Sequence, residues 1–390
     1  MTLDTIQSPI ARPLRIVADS GSRVRHPVAF HAPASSRRSG HDHLTKMAIA
    51  EQLAALLEVD FLGELSETEL AAAPTLLVPS ETLVGIAQAR RLGVTDAGRL
   101  FGGVVPQAFV ATKVISHRLI TPTSQAPAEW SLSFGQDVAG HVLPGFSAFS
   151  AADAIAAGHR LLAGGAVRLK EPAGVGGTGQ HVIRSAAELR ACVSAMNPEV
   201  ITREGVVIER NLNRVATLSV GQVQVGEWLA TYCGTQTLTR NHRGDEVYGG
   251  SRLIVARGDY ADLLQLDLSE SQRQAVDQAV AYHRAALACF EGLMATRANY
   301  DIAQGVDYHG VAHSGVLEQS WRIGGASGAE LVALQVFAAD PTLAAVRAST
   351  HEIYGESVAV PSDARVNFAG IDDSVGPLTK YARVDAYEHT

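Results

Sequence analysis

The sequence predicts a mixed α/β and α+β protein of two or three domains, and three observations carry that expectation. Short strand-like and helical runs alternate over the N-terminal quarter, a second strand and helix series surrounds a glycine-rich segment at Gly174, and a long period-two alternation follows Gly205. The chain has 390 residues, 46% hydrophobic and 18% charged, too apolar for disorder, and its 36 glycines exclude a coiled coil. Cys192, Cys233 and Cys289 are widely separated, which leaves neither a disulfide framework nor a cysteine-rich zinc module. No apolar run reaches membrane-spanning length, and MTLDTIQSPIARPLR lacks the apolar core of a signal peptide, so a cytoplasmic protein without a membrane partner is expected. A net charge of −8 argues against a nucleic-acid-binding face. Among the 32 basic residues only Lys46, Lys113, Lys170 and Lys380 are lysines. Each is a candidate for a task that arginine performs badly, with codon bias as the competing account.

The elements are read in chain order. Leu14–Ala18 and Pro27–Phe30 are strand-like, and His31 to His43 reads as Pro/Ser/Gly-rich coil, where His41-Asp-His43 is either a solvated loop or a metal cluster. Met47, Ile49, Leu53, Leu56 and Leu57 fall at helical spacing. Thr75–Val78 is a short strand, and Glu81–Leu92 a helix stopped by Gly93. Around Ala166–Lys170 a strand leads into Gly174-Val-Gly-Gly-Thr-Gly179, then Gln180–Arg184 alternates like a strand, and Ser185-Ala-Ala-Glu188 has the spacing of a capping box. Gly205–Glu209 and the alternation through Leu238 predict antiparallel strands, with Asn241–Gly250 as a hairpin loop whose flanking Arg240, His242 or Arg252 either reach substrate or lie on the surface. Ser269 opens a helix that presents Val276, Ala279, Val280, His283, Leu287 and Phe290 along one face, with His283 read as a packed histidine. Ser314–Arg322 is the last strand, ending at Gly324-Gly-Ala-Ser-Gly328, and beyond Pro361 the polar, Gly/Pro-punctuated sequence reads as an arm or tail.

The glycine-rich segment allows three readings. A dinucleotide-binding loop must pass straight from strand to helix, and a Walker loop must end in Lys and Ser or Thr; here Gln180-His181 follows and a strand comes before the helix. A strand–loop–strand hairpin remains, either a lid able to close over phosphates or a plain turn.

Three further features downstream occur in an order that resembles the ATP-grasp superfamily, in an uncharacterised bacterial branch, over roughly Leu100–Leu334. The resemblance implies two α+β subdomains holding ATP, and it divides the chain into an N-terminal α/β domain (1–112), subdomain A with the lid (113–204), subdomain B (205–345) and a C-terminal arm or tail (346–390). It assigns Lys113 and Lys170 to phosphate oxygens, together with the lid residues Gly174, Gly176, Gly177, Thr178 and Gly179. Lys46 and Lys380, lacking such a context, are expected at the surface. Val206-Val-Ile-Glu209-Arg210-Asn-Leu212 matches the family's adenine hinge, which implies that Glu209 accepts from the adenine amino group while backbone at Arg210 and Leu212 binds the ring edge. The family's ribose acid has no counterpart at Ala216-Thr217.

The metal strand is represented by Asp301 and by Leu317-Glu318-Gln-Ser320-Trp-Arg322, where Asp301, Glu318 and Ser320 would hold Mg²⁺ and Ser320 replaces the family's Asn. In an extended strand Glu318, Ser320 and Arg322 point to one face. The glycines at 324–328 either bind a substrate carboxylate or acyl phosphate, with Arg322 as a clamp, or simply turn the chain into the next helix. What the resemblance implies is an ATP- and Mg²⁺-dependent ligase in which Lys170 and Arg322 serve catalysis, a carboxylate is activated as an acyl phosphate and an amine displaces phosphate. A small-molecule kinase and a nucleotide-binding protein without catalysis are the alternatives, and a homodimer is a family-level expectation.

Overall fold

An eight-stranded antiparallel sheet organises the chain. The computed structural model describes residues 15, 17–19, 23–34, 36, 38–172, 174 and 179–389. The strands lie in the spatial order Ala312–Ser320, Arg297–Val306, Asn213–Val225, Trp228–Arg240, Glu246–Arg257, Leu343–Tyr354, Gly376–His389 and Arg365–Asp372. Alternation along the strands feeds two cores, because both faces of the sheet are covered. Ile254 and Ala256 pack with Val276 and Ala279 of helix Glu270–Cys289, while Leu253 and Val255 pack with Leu331 and Leu334 of helix Ser327–Ala339 and with Ile49 and Leu53 of helix His41–Leu57. Helix Glu270–Cys289 starts where its sequence predicts, at a capping box between Ser269 and Gln272, and His283 is fully buried on its inner face, bonded through Nδ1 to the Tyr300 hydroxyl.

A second, four-stranded sheet has the order Gly145–Ala148, Val206–Arg210, Val167–Lys170, Gln180–Ile183. Helices Ala151–Leu162 and Ala186–Ala195 cover it through Ala154, Ala157, Leu189 and Val193. The hairpin expected around the glycine-rich segment is present, closed by the Lys170–Gln180 pair. Gly176, Gly177 and Thr178 lie outside the described residues. The N-terminal α/β unit is a parallel sheet of Phe61–Glu64, Val28–His31 and Leu76–Pro79 packed on helix His41–Leu57. Among the described residues no helix is long and apolar enough to cross a membrane.

The structure corrects three expectations. The predicted helix Glu81–Leu92 is shorter: Leu83–Val84 pairs with Gly103–Val105, Gly85 turns at φ +87°, and helix Ile86–Arg91 follows. His41-Asp-His43 is not a solvated loop but the first turn of helix His41–Leu57, with buried His43 Nε2 bonded to Glu64 at 3.3 Å. The segment 346–390 is not a tail, since Leu343–Tyr354, Arg365–Asp372 and Gly376–His389 form three of the eight central strands. Its outer strand buries little apolar surface, and its stability comes from pairing with distant sequence, so no local periodicity marks it.

This C-terminal segment also completes the N-terminal helix. Gly40 at the N-cap of helix His41–Leu57 has no side chain to offer, and the carboxylate of Asp372 takes its place, accepting the His41 N–H at 2.8 Å. The Asp372→Ala variant is expected to lose about 1–2 kcal/mol of unfolding free energy, as helix-cap deletions do. Urea denaturation checks this; an unchanged midpoint would show that the cap contributes nothing.

Candidate active site

Lys170 ends the first strand of the lid hairpin, beside hinge strand Val206–Arg210. The register Arg168–Glu209 and Lys170–Val207 makes Lys170 and Glu209 diagonal neighbours on one face. Lys170 Nζ lies 2.6 Å from Glu209 Oε1, and His117 Nε2 lies 3.2 Å from the other carboxylate oxygen, with all three side chains buried. Burial works against the Glu209 charge, yet the Lys170 ammonium and the His117 bond outweigh it and bring the carboxyl down to about 2. Both oxygens of the Glu209 carboxylate are thus engaged, one by Lys170 and the other by His117. Beyond it, Arg210 pairs with Asp307 at 2.9 Å, and Leu212 is buried among Leu143 and Ala303.

The second centre lies where two strands of the large sheet face each other. Asp301 is directly opposite Glu318, and Asn299 opposite Ser320. Asp301 Oδ1 accepts from Gln236 Nε2 at 2.8 Å and from Asn299 Nδ2 at 2.9 Å. Burial, with the Glu318 charge adding to it, pushes the Asp301 carboxyl up. Glu318 Oε2 lies 2.6 Å from Lys113 Nζ, and the same ammonium donates to the carbonyl of Gly174 at 2.6 Å. Lys113 thus joins the lid hairpin to the expected metal strand. Both Lys113 and Lys170 are buried.

The predicted trio on one strand face is only partly realised. The strand stops at Ser320, whose Oγ lies 3.5 Å from Arg297 Nη1, and Trp321 is buried in the core. Arg322 lies past the ladder, where its Nε meets Glu81 at 3.0 Å. Among the described residues no group of three His, Cys, Asp or Glu side chains is arranged to hold a metal ion. Two opposed carboxylates and a hydroxyl suit Mg²⁺, which takes one or two carboxylates from protein and other oxygens from substrate phosphates.

Lys46 and Lys380, expected at the surface, are buried as well. Lys46 Nζ pairs with Asp42 at 2.8 Å and Glu81 at 3.0 Å, and Lys380 Nζ pairs with Glu352 at 2.9 Å. Glu81 and Glu352 lie 35 and 28 positions away from their lysines, beyond any local motif, while Asp42 stands four residues before Lys46 on the same helix face. His117, 92 positions from Glu209, and Gln236, 65 positions from Asp301, were likewise not identifiable from spacing, whereas Asn299 stands two positions before Asp301 on the same strand. Of the hairpin-loop residues, Arg240 bonds within its own loop to the Gly244 carbonyl and His242 to the Pro377 carbonyl.

Residues 29–382 match the family described as "Protein of unknown function (DUF3182)". The chain belongs to that family. No curated protein matches this DUF3182 chain. Among solved structures, phosphoribosylamine–glycine ligase from Thermotoga maritima is similar with a TM-score of 0.51 at 12% identity, over 93% of this chain and 98% of that one. A biotin carboxylase from Campylobacter jejuni, in a β,γ-ATP complex, is similar with a TM-score of 0.50 at 12% identity, over 93% and 87% of the respective chains. The DUF3182 chain has the ATP-grasp fold, as the order of its motifs implied.

The lowered Glu209 carboxyl sets a pH dependence. A carboxylate held below its unfolded value contributes stability that is complete above about pH 4.5 and is lost as pH falls toward 2. Glu209→Gln is expected to remove that part of the acid limb and to cost on the order of 3–5 kcal/mol at neutral pH, since it strands a buried ammonium. Chemical denaturation of both proteins between pH 3 and 7 measures the difference; parallel curves would contradict it.

Proposed function

We propose that this chain is an ATP-dependent ligase that activates a carboxylate as an acyl phosphate and joins it to an amine. The observation that carries the reading is the convergence of two buried lysines on one lid: Lys170 at its base, and Lys113 between Gly174 and the Asp301–Glu318 pair. Compact ammonium groups on either side of a glycine hairpin suit phosphate oxygens, where arginine's planar fork does not pack. Glu209 and His117 hold Lys170 in place before nucleotide arrives. Backbone at Arg210 and Leu212 takes the adenine edge, and the glycines at 174, 176, 177 and 179 with Thr178 cover the phosphates. Asp301, Glu318 and Ser320 would hold Mg²⁺, which when bound neutralises phosphate charge. Asn299, opposite Ser320, brings a carboxamide to the position where the family's own Asn is replaced.

In the first step a carboxylate oxygen attacks the γ-phosphorus, the β–γ bridging P–O bond breaks, and ADP leaves with the electron pair. In the second the amine nitrogen attacks the acyl carbon, the C–O bond to phosphate breaks, inorganic phosphate leaves and the nitrogen loses a proton. Positioning and charge stabilisation carry both steps, and no protein nucleophile is required. A closed lid keeps water from the acyl phosphate. Arg322, next to the glycine turn, is assigned to the substrate carboxylate as a clamp.

With Mg²⁺ and ATP, a panel of amino acids, dipeptides and polyamines is expected to give ADP and phosphate in equal amounts, only when carboxylate and amine are both present. A phosphorylated product without free phosphate would indicate a kinase, and ATP binding without turnover a nucleotide-binding protein. Lys170→Ala and Lys113→Ala should each lower ADP release by on the order of 10²–10³, as the loss of a charge-stabilising group does. Unchanged turnover in either variant overturns the phosphate-site assignment.

A further inference from the structure

The two lysines outside the nucleotide-facing lid share a second polar hollow. A cavity of about 270 Å³ lies at the start of helix His41–Leu57, lined by Asp42, Lys46, Ser80 and Glu81 among others. A smaller one of about 60 Å³ shares Asp42 and Lys46 with it and continues to Glu352, Lys380 and the turn at Gly324-Gly325. Charges of both signs alternate along this path. Arg322 Nε meets Glu81 at 3.0 Å, Lys46 meets Glu81 at 3.0 Å and Asp42 at 2.8 Å, and Lys380 meets Glu352 at 2.9 Å. The groups also sense each other across the hollow: burial alone would raise the Asp42 carboxyl, but Lys46, then Arg322 and Lys380, hold it below its usual range.

Around the smaller cavity two ammonium groups, Lys46 and Lys380, stand with two carboxylates, Asp42 and Glu352, while Asp372 on the wall of the larger one is taken up by the His41 N–H and the Ser374 hydroxyl. A ligand bearing only one charge would displace one partner of a pair and leave the other buried without compensation, which is costly. A ligand bearing one charge of each sign exchanges partners and leaves every charge paired. The hollow also contains hydroxyls without partners. Ser80 is buried and its Oγ has no hydrogen-bond partner, and the buried Oγ1 of Thr45, on the wall of the smaller cavity, has none either. Buried hydroxyls of this kind are rare because leaving them unpaired costs free energy, so they mark a place where a polar guest supplies the bond.

The smaller cavity borders the turn that follows the Ser320 strand: a Cβ placed on Gly324 would lie 3.9 Å from both Ser320 Oγ and Arg322 Nη1, whereas one on Gly325 would collide with the Tyr248 ring at 2.6 Å, so Gly325 is packed directly against that ring.

We propose that this hollow binds a small free amino acid, with its carboxylate toward Lys46 and Lys380, its ammonium toward Asp42 and Glu352, and Ser80 bonding its polar end. The proposal rests on the ligase reading in making the amino acid one of the two substrates, while its binding is measurable without ATP. The twenty protein amino acids, each at millimolar concentration, are the probes, followed by calorimetry on those that raise the melting temperature. At least one is expected to bind, its deaminated and decarboxylated analogues at least tenfold more weakly.

Ser80→Ala should keep or raise the melting temperature, since it removes an unpaired hydroxyl, yet weaken binding several-fold. The double variant Lys380→Met/Glu352→Gln removes both partners together, which preserves folding, and should weaken binding at least tenfold. If no amino acid binds the wild-type chain, if both variants bind as wild type does, or if a single-charge analogue binds equally well, the assignment is overturned. Mg-ATP titration of the same samples separates the two readings: nucleotide binding without amino acid binding refutes the hollow alone, and the converse refutes the ligase reading alone.

Discussion

Pairing buried ammonium groups is the constraint on which the rest of this structure depends. All four lysines are buried, and each meets a carboxylate oxygen at 2.6–3.0 Å. A charge removed from water without a partner costs several kcal/mol, so each lysine also dictates where an acid must stand. Glu209 on strand Val206–Arg210, Glu318 on strand Ala312–Ser320, Asp42 on helix His41–Leu57 and Glu352 on the large sheet meet this demand. An arginine-rich chain with only four lysines places all four in buried ion pairs, as it does Arg297 with Glu330.

The large antiparallel sheet converts that electrostatic demand into geometry. Asp301 and Glu318 meet only because strands Arg297–Val306 and Ala312–Ser320 pair in one register, and a slip of one residue would send every side chain to the opposite face. Both faces of the sheet are buried against helices, which makes such a slip unaffordable in apolar area. Gln236 reaches Asp301 from strand Trp228–Arg240 and Asn299 from two positions earlier on the same strand, so the carboxyl is oriented by two carboxamides before any cation is considered.

What was legible in the sequence was local. The capping boxes or caps at Ser185 and Ser269, the hairpin on either side of the glycines and the order of lysine, hinge and acidic strand each depend on residues close together in the chain, and the folded protein contains the corresponding elements. Long-range matters were not legible. Strand Gly376–His389 gains its stability from Leu343–Tyr354, and Lys46 gains its second partner from Glu81, through contacts that no window of sequence contains. Arg322 leaves the face of Glu318 and Ser320 for a related reason: the ladder stops at Ser320, and alternation has no meaning past its end.

The cap that Asp372 places on the helix beginning at His41 has a temporal consequence. A chain made from its N-terminus cannot close that cap until more than 300 further residues have left the ribosome, because the acceptor lies 331 positions downstream. The first helix is therefore among the last to be locked. Until then the nascent α/β unit leaves uncovered the apolar surface of Ile49 and Leu53 that shares a core with Val346, Ala348 and Ala382 of the final strands.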